Sequence, residues 1–196
     1  ALPSLASALD EFPNAKAAGG MPATGRDRDA WRLRMVQFGR LAGNLYALRG
    51  SFVRRLRERQ IRMPVGLIGE DFLVSWLVAT GIESRAMLAE GPQCVFNPAA
   101  QFSFRSLSLA RLSDYRLYLR RKWRYVWRAL QHEMLINTLN ALGLDAMPRS
   151  VNELYRDGPL PSRLKWVGPE TPMRLLAVLW IRCLRRRASR ANHAPT

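Results

Sequence analysis

"RMPVGLIGEDFLVSWLVATG", Arg62 to Gly81, is the stretch on which the fold turns. A loop punctuated by Pro64, Gly66 and Gly69 runs into two adjacent carboxylates, Glu70 and Asp71. These open a segment, Phe72 to Val78, that is apolar on every side. A helix that is hydrophobic all round is buried, and Gly81 supplies the usual C-terminal stop. The stretch therefore predicts a buried helix with two acids in its first turn. Helix physics alone accounts for acids there, because they complement the macrodipole and the free N–H groups. A second account is chemical. A carboxylate at the mouth of a buried helix, in an arginine-rich chain, is placed to act as a general base, its pKa set by burial and nearby charge. Successive helical residues point about 100° apart, so the two acids do not face one another across a scissile bond, which disfavours a two-carboxylate glycosidase. One acid would act and the other support it.

Working outward from that helix, residues 2–12 read as a helix with Leu2, Leu5, Leu9 and Phe12 on one side. "NAKAAGGMPATGRDRD" (Asn14–Asp29) reads as a small-residue strand entering a Gly/Pro loop. Asp29 is expected to N-cap a helix carrying Trp31, Met35, Phe38 and Leu41. "AGNLYALRGS" (Ala42–Ser51) suits a short buried strand or turn, with Ser51 capping a helix over 52–60 that turns Arg54, Arg55, Arg57 and Arg59 to solvent. On the other side, "SRAMLAEGPQCVFNP" (Ser84–Pro98) reads as two short strands around Glu90-Gly91-Pro92. From Leu109 to Leu142 the pattern is helical, with Leu112, Tyr115, Leu119, Trp123, Val126, Leu130 and Met134 on one apolar face. A Pro/Gly-rich connector, 143–170, leads to a last basic helix at 171–189. There is no internal repeat or low-complexity tract.

The 196 residues suit one domain, or one domain with an appendage, and 48% of them are apolar, enough for a sizeable core. The net charge of +16, nearly all from arginine, calls for an anionic partner: a phosphodiester, a nucleotide diphosphate or an acidic membrane face. Its densest expression is "RLYLRRKWRYVWRALQ" (Arg116–Gln131), where Arg116, Arg120, Arg124 and Arg128 recur every fourth residue with Arg121 and Lys122 alongside. A solvated face normally interleaves acids, because like charges four apart repel. This ladder has none, which favours an anion-binding face, and arginine's planar fork suits phosphate oxygens. Trp123, Trp127 and Tyr125 could stack on a base or sugar, though helical spacing makes Trp123 and Trp127 core candidates.

The last helix, "PMRLLAVLWIRCLRRRASR" (Pro172–Arg190), admits two readings. It is a membrane-surface helix, with Leu175, Leu176, Leu179 and Trp180 toward the acyl boundary and Arg182 and Arg185 to Arg187 toward headgroups, or an ordinary docking helix. Cys94 and Cys183 match no metal or redox spacing and are expected to be buried thiols in a reducing compartment. No run of about 18 apolar residues predicts a spanning helix, and the first residues do not read as a secretory signal. His132-Glu133 lacks the second histidine of a zinc protease, and neither a G-x-S-x-G elbow nor a Walker loop is present. The Gly-Leu-Ile-Gly at 66–69 is too weak for a dinucleotide loop, and no DNA-recognition motif stands out.

Segment order adds what single motifs lack. Gly43-Asn44-Leu45-Tyr46-Ala47-Leu48-Arg49, then Pro64 through Glu70-Asp71, then strands and a basic helix, resembles the second half of a family-2 glycosyltransferase of the GT-A fold over residues 1–130. The resemblance implies an α/β chain: a partial GT-A-like (Rossmann-like) mixed sheet flanked by helices in 1–108, then a helix-rich basic extension, 109–196. It implies transfer of a sugar from a nucleotide-sugar donor to an acceptor hydroxyl, with Asp71 as base and Glu70 orienting it or the acceptor. Asn44, Tyr46 and Arg49 would lie near the donor sugar or acceptor, Arg120, Arg121 and Lys122 would neutralise the diphosphate, and Trp123 would join the substrate-binding residues. A divalent metal, Mg or Mn, is implied, its D-x-D ligands absent here: Asp27-Arg28-Asp29 lies on the wrong side of the strand. The chain is thus expected to begin after the nucleotide-binding half. Where processive members carry Q-x-x-R-W, this chain has Leu119 and Lys122 and keeps only Trp123, so a non-processive enzyme is expected, cytoplasmic or peripheral at the inner membrane face. The alternative is a non-catalytic basic module for nucleic acid or an anionic membrane surface.

Overall fold

A computed structural model of the chain describes residues 1–82, 93–104, 111–160 and 168–191. Among them are seven α-helices and one three-stranded mixed sheet, so the chain is of mixed α/β class. It divides into two compact units, one of Ala1–Arg62 with Gly69–Leu107, the other of Met63–Ile68 with Ser108–Thr196. The loop before Glu70 belongs to the second unit.

In the first unit the central strand is β1 (Ala17–Pro22), the small-residue strand. It pairs antiparallel with β2 (Tyr46–Leu48) and parallel with β3 (Cys94–Phe102). Small residues are needed there for packing. A Cβ on Gly20 would sit 2.6 Å from Leu45 Cδ2 and 2.8 Å from the Ala100 carbonyl oxygen, closer than nonbonded atoms approach. The β1–β3 register slips between Gly20 and Met21. On β3 the slip is absorbed at Asn97, whose Oδ1 accepts from the Ala99 N–H at 2.9 Å and whose Nδ2 donates to the Ser4 carbonyl at 2.8 Å.

Helix α1 (Leu2–Glu11) covers the sheet with Leu5, Ala8 and Leu9, which join Ala15, Ala18, Val95 and Ala100 in one apolar core. Leu2 and Phe12, expected on the same face, are exposed, because they fall at the helix ends beyond the sheet's reach. Helix α2 (Arg28–Phe38) starts from Asp27 rather than Asp29. Asp29 lies inside the first turn, where its carboxylate pairs with Arg28 and Arg32, and the Arg28 hydrogen bond, with both charges, holds its pKa below the usual carboxylate value. Helix α3 (Gly50–Glu58) likewise begins before the expected Ser51, at Arg49, whose N–H is tied to the Lys16 carbonyl at 2.8 Å.

Helix α4 (Glu70–Thr80) is the buried helix of the opening stretch: Leu73, Val74, Leu77 and Val78 are buried, and left-handed Gly81 closes it. Gly69, at its N-cap, has φ 78°, a conformation most side chains resist. The first strand expected over Ser84–Pro92 lies outside the described residues, as does the start of a helix at Leu109.

In the second unit α5 (Leu112–Leu142) packs through Val126, Leu130 and Trp127 on Met173, Ala177 and Val178 of α7 (Thr171–Ala191). The expected apolar face of α5 divides. Val126, Leu130 and Met134 are buried, whereas Tyr115, Leu119 and Trp123 are exposed. The region read as connector contains α6 (Val151–Asp157), N-capped by Ser150, whose hydroxyl accepts the Glu153 N–H at 3.3 Å. Trp127, Tyr155 and Trp180 form an aromatic cluster with ring centres 5.2–6.0 Å apart. Met63–Ile68 enters this unit through a parallel bridge from Val65 to Ser150 and through Ile68. The Ile68 N–H donates to Gln131 Oε1 at 2.7 Å, and its carbonyl lies 3.0 Å from His132 Nε2. Gln131 passes the link on, donating to the Tyr155 hydroxyl at 2.7 Å.

Candidate functional site

The opening pair of acids separates as helical geometry requires. Glu70 is exposed, while Asp71, one residue on, is buried. The buried carboxylate is turned toward the loop before β2: its Oδ2 accepts the Gly43 N–H at 3.1 Å. One turn along, the Ser75 hydroxyl donates to the Asp71 carbonyl at 2.6 Å and accepts the Leu41 N–H at 2.9 Å. The start of α4 thus grips Leu41–Gly43 at two points. A Cβ on Gly43 would stand 3.6 Å from Asp71 Cβ and Cγ and 3.7 Å from Oδ2. With only hydrogen at that position, the Gly43 backbone lies directly against the carboxylate.

Tyr46 shares this neighbourhood. Burial chiefly, and then the negative charges of Glu70 and Asp71, raise its phenol above the ordinary value. Asn44, exposed, follows Gly43 directly in the loop. Chain connection and hydrogen bonding therefore gather Gly43, Asn44, Tyr46, Glu70, Asp71 and Ser75 around one loop and one helix start. Ser75 and Gly43 were not among the sequence candidates for this role. The signal for Ser75 was a polar residue inside an otherwise apolar helix.

Arg49 is engaged elsewhere. Its guanidinium donates to the carbonyls of Ala15 (2.7 Å), Phe12 (3.0 Å) and Leu9, closing the C-terminal end of α1. Cations at that end of a helix are favourable both as donors and against the macrodipole.

The arginine ladder lies in the second unit. Arg116, Arg120 and Arg124 are exposed and Arg121 is half-buried. One acid reaches the ladder from another segment. Lys122 bonds to Glu170, which raises the lysine pKa, and sits 5.7 Å over the Tyr118 ring. Glu133, further along α5, pairs with buried Arg174 of α7. Trp123 touches Trp127 edge-on at 6.0 Å but remains exposed.

Among the described residues no group of three or more His, Cys, Asp and Glu side chains could hold a metal ion. The cysteines differ from expectation. Cys94 is half-buried, and burial pushes its thiol up to about 12, but Cys183 is exposed, on the outward arc of α7. Among the described residues, no helix is long and apolar enough to cross a membrane. Comparison with protein-family models, with curated proteins and with solved structures finds no match.

Proposed function

We propose that the chain is the acceptor-side part of a glycosyltransferase that uses a nucleotide-activated sugar, with Asp71 as the general base. The observation that supports this is the setting of the Asp71 carboxylate: buried at the start of an apolar helix and held by the Gly43 N–H. A general base needs a fixed carboxylate within reach of the proton it removes. In the proposed step Asp71 takes the proton of the acceptor hydroxyl as its oxygen bonds to the anomeric carbon. The bond from that carbon to the nucleotide diphosphate breaks, and the diphosphate leaves with the electron pair. Tyr46 and Asn44 line the acceptor side, and Glu70, exposed beside the base, orients the hydroxyl.

Asp71→Asn is the discriminating variant. Its amide oxygen can still accept the Gly43 N–H, so stability should change by only about 1 kcal/mol. In an enzyme that also carries the nucleotide-binding half, transfer, measured as nucleotide diphosphate released from a panel of nucleotide sugars with hydroxyl acceptors, should fall by roughly 10²–10⁴-fold. Donor binding by calorimetry should persist. Wild-type turnover by Asp71→Asn in the enzyme with its nucleotide-binding half sinks the assignment. A non-catalytic basic module would instead bind with steep salt dependence and be indifferent to Asp71. The exposed arginines and aromatics of α5 favour that second reading.

A further inference from the structure

Helix α7 is apolar on its inward arc and again on much of its outward one. The inward arc, Ala177, Val178 and Ile181 with the paired Arg174, is buried, and Ala177 and Val178 pack on Val126 and Leu130 of α5. Opposite lie Leu175, Leu176 and Leu179, 38%, 60% and 49% exposed, while Trp180, half exposed, stands on the flank with one side of its ring against Trp127 and Tyr155. At about 100° per residue, Leu175, Leu176, Leu179 and Cys183 fall in one arc about 100° wide, with Trp180 at its edge. Solvent-facing arcs of helices are ordinarily polar. Arg182 and Arg186, both exposed, lie along or beside this arc toward the C-terminal end, while Arg185 is occupied by the carbonyls of Tyr155 and Gly158.

We propose that this outward face of α7 docks on an anionic lipid surface, with Leu175, Leu176, Leu179 and Trp180 in the acyl boundary and Arg182 and Arg186 against headgroup phosphates. Charge decides the occupant. Residues 108–196 carry seventeen Lys and Arg against six Asp and Glu. A second copy of the chain would bring the same positive field and be repelled. A bilayer surface instead offers both requirements at one depth: hydrocarbon for the leucines and phosphate oxygens for guanidinium forks. The first half of α5 repeats the chemistry, with exposed Tyr115, Leu119 and Trp123 beside exposed Arg116, Arg120 and Arg124. Because no described helix is long and apolar enough to cross a membrane, α7 would lie on the surface and not span it. This inference is independent of the glycosyl-transfer proposal.

The test is sedimentation of the full chain with phosphatidylcholine vesicles with and without about one-third phosphatidylserine, alongside analytical ultracentrifugation without lipid. The wild type is expected to bind the anionic vesicles and not the neutral ones. The half-exposed leucines should each contribute roughly tenfold, so Leu176→Ser with Leu179→Ser should weaken binding about a hundredfold. Arg182→Gln with Arg186→Gln should weaken it about 25-fold, roughly fivefold per charge. Circular dichroism should be unchanged in both pairs, since all four side chains are exposed. The proposal is overturned if the leucine pair binds anionic vesicles as the wild type does, which would leave charge alone as the cause. It is equally overturned if neutral vesicles bind as well as anionic ones. A third refuting result is a wild-type dimer, abolished by the leucine substitutions, that ignores vesicles.

Discussion

Arg49→Met removes a guanidinium that three backbone carbonyls share and leaves a side chain of similar reach. Two of the three bonds, to Ala15 and Leu9, are partly shielded from water, and the third, to Phe12, is exposed. Hydrogen bonds from a charged donor contribute about 1.5–3 kcal/mol each when shielded, and an exposed carbonyl recovers its bond from water. Taking the low end for the two shielded bonds, the variant should cost the α1 end of the first unit about 3 kcal/mol. Arg49→Lys, whose ammonium cannot span three divergent carbonyls, should lose about half as much. The assay is hydrogen exchange read by mass spectrometry on peptides covering residues 2–16. At 1.4 kcal/mol per factor of ten, amides there should exchange about a hundredfold faster in Arg49→Met if they open by subglobal unfolding. Peptides from α5 and α7, in the other unit, serve as internal controls. Protection of residues 2–16 within threefold of wild type would refute the reasoning. If the same variant then lost nucleotide-sugar binding, Arg49 would belong to a ligand site and not to the end of a helix.

Gly20→Ala should destabilise the first unit by about 1–3 kcal/mol, because its Cβ would meet Leu45 and the fixed Ala100 carbonyl at under 3 Å; unchanged urea denaturation would contradict this packing. Ser75→Ala strands the buried Leu41 N–H and should cost about 1–3 kcal/mol. Its signature is faster exchange of the Leu41 amide with α4 still protected. The Lys122–Glu170 bond raises the lysine pKa, so the stability it adds is fully present below the ordinary lysine value of 10.5 and is lost as pH climbs through the raised folded value. A double-mutant cycle with Lys122→Met and Glu170→Gln should give a coupling at pH 8 that fades as pH rises through the raised lysine value; a coupling unchanged once the lysine has titrated would rule out the ion pair.

What could be read in the residues was local and periodic. The buried helix over 70–80, its glycine stop, the small-residue strand and the short strand after Gly43 follow from spacing and turn chemistry and are present. Two helix starts were misplaced: Asp29 is claimed by Arg28 and Arg32 inside the first turn, and α3 starts ahead of Ser51, from Arg49, whose N–H is fixed on the Lys16 carbonyl. Helix α6 had its signal, Ser150 with Glu153 three residues on, but the surrounding prolines and glycines outweighed it. Long-range choices had none. Nothing near Arg49 indicates that its guanidinium reaches back to carbonyls 34–40 residues earlier, and nothing within the arginine ladder indicates that Glu170 neutralises part of it. The gathering of Asp71, Ser75 and Gly43 is of the same kind: each residue was visible, but their bonds join positions 28–34 apart.

The six residues Met63–Ile68 carry a consequence for how the chain is made. They precede the acids directly, yet their partners, Gln131, His132 and Ser150, are synthesised some 60–90 residues later. During vectorial synthesis, which otherwise lets N-terminal units fold first, this segment must wait unpaired while the rest of its unit is translated. A fragment beginning at residue 109 would never acquire it. Gln131, buried beneath Ile68, would lose the donor to its side-chain oxygen, and Val65 would be missing from its bridge to Ser150. The second unit should therefore fold poorly as a C-terminal piece and recover when a peptide spanning 62–69 is added in trans.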